Sequence, residues 1–75
     1  MWTYFFELDG PNAQHTLERI ALDLASQGAI SQDVLRSVDQ PDLYLLHCTV
    51  PHALNSTPKE PTVWVFRNAN NVRQN

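Results

Sequence analysis

Most of the common routes to chemistry are missing from this sequence. Among its 75 residues there is one cysteine, Cys48, so no disulfide can form within the chain and a reducing compartment, the cytosol, is expected. Glycine occurs twice, at Gly10 and Gly28, too far apart to build a phosphate-cradling loop, which excludes the common nucleotide signatures. Basic residues are few. Arg19, Arg36, Lys59, Arg67 and Arg73 are scattered along a chain of net charge −3 and form no stripe. Nucleic-acid binding needs such a stripe to neutralise phosphates, so no nucleic-acid partner is expected. Apolar runs last only a few residues, far short of the ~20 that a membrane span requires. The first residues lack the basic start and small-residue cleavage site of a secretory signal, so no leader is expected.

What the chain does have is apolar patterning on both sides of its extended segments. Trp2-Thr3-Tyr4-Phe5-Phe6-Glu7-Leu8 places Trp2, Tyr4, Phe6 and Leu8 on one face and Phe5 on the other. Leu43-Tyr44-Leu45-Leu46 and Val63-Trp64-Val65-Phe66 repeat the habit. One amphipathic helix covers one face of a sheet, and the second face then calls for a partner. Size agrees, because a domain this short buries only about 60–65% of its unfolded surface and gains most from association.

Residues 1–67 read as one α+β domain of order β-α-β-β-β, an antiparallel sheet with one long helix on one face. The first strand, Trp2 to Leu8, ends at the turn Asp9-Gly10-Pro11. Asn12 is expected to cap the following helix through its side chain. Ala13, Leu17, Ile20, Ala21 and Leu24 form the apolar stripe of a helix from Ala13 to Gln27, and Gly28 suits its C′ position.

Residues 30–38 read two ways. Ser31 with Ile30 and Leu35 makes a helix N-cap and staple, whereas Ile30, Val34 and Val38 share one face of a strand. The tetrad Asp39-Gln40-Pro41-Asp42 suits a hairpin loop and tips the reading toward the strand, with Leu43 to Val50 as the second arm. His52 to Pro61 is a proline-broken loop, and Thr62 to Phe66 a last β-branched and aromatic strand. The polar residues 68–75 read as a frayed tail.

The run Val34-Leu35-Arg36-Ser37-Val38-Asp39-Gln40-Pro41-Asp42-Leu43-Tyr44-Leu45-Leu46 resembles a hairpin of the dimeric α+β barrel superfamily, notably antibiotic-biosynthesis-monooxygenase-type domains. There a strand ends in an acidic-x-proline turn and the next begins with an aromatic and aliphatics. The resemblance covers roughly half of the chain. It implies a ferredoxin-like outline and a homodimer whose sheets pack face to face. It also implies a cofactor-independent oxygenase acting on an aromatic or polycyclic substrate beside Trp64, with His47 orienting the substrate oxygen. The chain departs from that pattern where a second helix is usual, between the third and fourth strands.

Candidate chemistry is sparse. His47, Cys48 and His52 are metal-ligating types, but neighbours on a strand point to opposite faces, so no metal site is expected. Cys48 reads as a core residue beside Tyr44, Leu46 and Val50, where a thiol is inert. Glu7 and Asp9 read as edge charges rather than an acid/base pair, and His15 as a surface residue of the first helical turn. A ligand site lined by Tyr44, His47, Trp64 and Phe66 would suit a flat aromatic molecule, although such aromatics also build cores and interfaces. The expectation is therefore a homo-oligomerising binding or accessory module, recognising itself or a partner protein and needing no cofactor. The oxygenase-type enzyme is the alternative.

Overall fold

The computed structural model describes residues 1–67 and residue 69, so the tail read at 68–75 lies almost wholly outside the described residues. Five elements follow in order: β1 Trp2–Asp9, α1 Ala13–Ser26, β2 Ser31–Arg36, β3 Leu43–Val50 and β4 Thr62–Arg67. All strand pairs are antiparallel, in the order β2-β3-β1-β4. Helix α1 leads from β1 to β2, which run in the same direction with β3 between them. This split β-α-β arrangement is ferredoxin-like in outline.

The helix lies on the face built from even-numbered residues of β1 and β3. Tyr4, Phe6, Leu46, Cys48 and Val50 of the sheet close against Leu17 and Leu24 of α1, with Ile20 and Ala21 at the margin. Phe6, Leu17 and Leu46 are fully buried, each contributing about 1.5–3 kcal/mol through removal from water. The helix stops because Gly28 adopts φ +100°, a backbone conformation that side chains disfavour. Its N–H donates to the Ala25 carbonyl at 3.2 Å and the Ala29 N–H to the Leu24 carbonyl at 3.1 Å, a Schellman closure.

Two local expectations are corrected. Asn12 precedes the helix, but its side chain makes no capping bond. Its backbone, at φ −105° and ψ 8°, is far from the extended geometry that turns a side-chain oxygen back onto the first turn. The Ala13 N–H donates instead to the Gly10 carbonyl at 3.2 Å. The hairpin loop is also longer than Asp39 to Asp42. Strand β2 ends at Arg36, and both Ile30 and Val38 fall outside it and are exposed. The Ser37 hydroxyl accepts bonds from the Asp39 and Gln40 N–H groups at 3.2 and 3.0 Å, and the Arg36 guanidinium donates to the Pro41 carbonyl at 3.0 Å. These bonds fold Ser37 and Val38 into the turn.

The interval between β3 and β4 contains no helix. Leu54 packs there against the core, and its N–H donates to the Tyr4 hydroxyl at 2.9 Å. Pro61 is buried just before β4. One hydrogen bond and two apolar side chains thus anchor the segment where a second helix would sit.

Candidate functional site on the open sheet face

Alternation sends the odd-numbered residues of β1 and β3 away from the helix. Register then assembles rows across all four strands. Asp33, His47, Phe5 and Trp64 are directly opposite one another in sequence across β2, β3, β1 and β4. On one side lies the row Leu35, Leu45, Glu7 and Thr62, and on the other the row Ser31, Thr49, Thr3 and Phe66. The apolar members form a diagonal band from Leu35 and Leu45 through Phe5 to Trp64 and Phe66. No element of the described fold covers it.

Phe5 is the centre of this band. Its ring meets Phe66 edge-on, with centroids 5.6 Å apart, and lies 5.0 Å from the His47 ring at a tilt of 38°. Trp64 Nε1 donates to Glu7 Oε1 at 3.4 Å, a long bond that leans the indole along the face. His47 Nδ1 lies 4.0 Å from Asp33 Oδ2, an exposed contact worth little by itself. The aromatic rings hold one another in place while Trp64 and Phe66 remain 51% and 53% exposed.

Of the four residues expected to line a ligand site, His47, Trp64 and Phe66 share this face. Tyr44 does not. It lies opposite Leu8 on the helix side, and the guanidinium of Arg36 sits 6.0 Å from its ring centroid. The correction follows from parity, because residues 44 and 47 of one regular strand cannot point the same way. Phe5 belongs in the group instead. Its odd position in β1 was the available signal, but pairing it with His47 and Trp64 required the register.

The metal and thiol candidates are separated. Cys48 is fully buried on the helix side as a free thiol, whereas His47 is on the open face and His52 is exposed in the loop. Burial pushes the Cys48 thiol above its ordinary value by desolvating the thiolate. Among the described residues no group of three or more His, Cys, Asp or Glu side chains is placed to hold a metal ion. A solvent-open concavity of about 320 Å³ lies at the β2–β3 end of the sheet, where Leu35, Leu43, Tyr44, Leu45 and Glu7 contribute to its walls. Among the described residues no helix is long and apolar enough to cross a membrane.

No family model, curated protein or solved structure matches this chain.

Proposed function

We propose that this chain is a small homo-oligomerising interaction module whose binding surface is the open face of its sheet. The observation that carries the reading is the uncovered band of Leu35, Leu45, Phe5, Trp64 and Phe66, which runs without a break across four strands. Four strands about 4.8 Å apart and six residues long give a face of roughly 400 Å², and the apolar band is its diagonal part, flanked by Asp33, Glu7 and the threonines. A second copy is the favoured occupant because the helix-side core is thin, and self-association supplies burial that one copy lacks. The buried free thiol fits a reducing setting, the cytosol.

The oxygenase-type alternative has weaker support. The concavity beside Leu35 and Leu45 is open, and His47 is not among its lining residues. An enzyme of that kind needs an enclosed site with the imidazole aimed into it.

Leu35→Glu tests the reading. This side chain is half exposed on the open face, so a charge there should leave the fold intact. Association measured by sedimentation should weaken at least tenfold. Unchanged association would remove the open face as the binding surface.

A further inference from the structure

Strand β4 is the least supported element of the fold. Among the described residues it stands at the sheet edge and pairs only with β1. Helix α1 packs on β1, β2 and β3, and β4 has no comparable contact with it. Trp64 and Phe66 project on the open face, while Val65 projects on the helix side and is still 46% exposed. The strand is therefore apolar on both faces, and among the described residues no strand pairs with the main-chain groups of its outer edge.

The two edges of the sheet differ. Strand β2 carries Ser31, Gln32, Asp33 and Arg36 among its six residues, and charges of this kind discourage edge-to-edge pairing. Strand β4 has no charge, proline or glycine from Thr62 to Phe66. Charge appears only at its ends, with Glu60 before it and Arg67 at its close.

We propose that β4 pairs antiparallel, edge to edge, with β4 of a second copy, joining two four-stranded sheets into one of eight strands. A twofold axis normal to the sheet keeps both open faces on the same side, and directly opposite residues must share a face. Centred on Trp64, the pairing sets Thr62 opposite Phe66 and Val63 opposite Val65 of the other copy. Arg67 of each copy then falls opposite Pro61 of the other, one residue along the chain from Glu60. Parallel pairing would set like charges side by side and lacks the twofold. Edge pairing also merges two open faces into one surface, so it does not require those faces to close on each other.

Amide hydrogen exchange on the full chain, followed from low to high protein concentration, tests the proposal. Outward-facing amides of residues 62–67 should gain at least tenfold protection as the mass rises. Val65→Lys, which leaves every open-face side chain unchanged, should weaken association at least tenfold and abolish that protection. Glu60→Arg should weaken association, and adding Arg67→Glu should restore it. Association that is lost in Leu35→Glu but untouched by Val65→Lys, with β4 exchange constant, would overturn edge pairing and support face closure. The opposite pattern would support edge pairing and remove the open face. A chain monomeric at every concentration would overturn both.

Discussion

The hydroxyl of Tyr4 and the main-chain N–H of Leu54 are joined by a hydrogen bond of 2.9 Å across 50 residues of sequence. Tyr4 belongs to a central strand and is 3% exposed, whereas Leu54 lies in the proline-broken segment after β3. The bond ties that segment to the sheet in place of a helix. Tyr4→Phe keeps the ring and removes the acceptor. Urea unfolding should show a loss of about 0.5–1.5 kcal/mol, and the Leu54 amide should exchange faster. Equal stability and unchanged exchange would mean that the bond anchors nothing.

The fully buried Leu46 touches the same core from β3. Leu46→Ala should cost about 2–5 kcal/mol, measured as a fall in the urea midpoint. Leu22→Ala, at a position 74% exposed on α1, should cost less than about 0.5 kcal/mol. Similar losses at both positions would contradict the assignment of the helix-side core.

Gly28 closes α1 at φ +100°, and a Cβ added there would meet no atom within 4 Å. Space is available, so the cost of Gly28→Ala is one of backbone conformation alone. Thermal or urea unfolding should show a loss of about 1–2 kcal/mol. A gain in stability would mean that the helix ends by a different geometry.

Burial of Cys48 raises its thiol above the ordinary value of 9.0. The unfolded chain therefore releases this proton at lower pH than the folded chain. Stability from the group is fully present below about pH 9 and declines as pH rises through the folded value. Alkylation by a thiol reagent at neutral pH should be slow in the native protein and fast in urea. Rapid native alkylation would place Cys48 outside the core.

Much of the fold can be read from local pattern. The aromatic alternation of β1, the stripe and glycine stop of α1, and the β-branched run of β4 each carry their own signal, and the α+β order follows. Residues 30–38 do not, because Val34 is the one apolar residue of β2 that faces the core, while a cap-and-staple helix fits the same letters. Pairing with β3 decides for the strand, and that interaction is non-local. Asn12 fails as a side-chain cap because its backbone is not extended, and the Ala13 N–H is taken by the Gly10 carbonyl. The second apolar face was visible as composition, but its membership was not. Tyr44 was separable from His47 by counting along one strand. Joining Phe5 to Trp64 and His47 needed the sheet order.

Trp64 joins the open face to the outer strand, and its indole is held by Glu7. Trp64→Ala should weaken association at least tenfold, since half-exposed aromatics dominate such interfaces. Stability measured in dilute solution should change by less than about 1 kcal/mol. Association unaffected by this change would leave the aromatic band without a role.

Self-association is read directly from the solution mass, by light scattering across a tenfold range of concentration. Association requires a mass above the 8.6 kDa of one chain, reaching or passing twice that value as concentration rises. A mass of one chain at every concentration would contradict it.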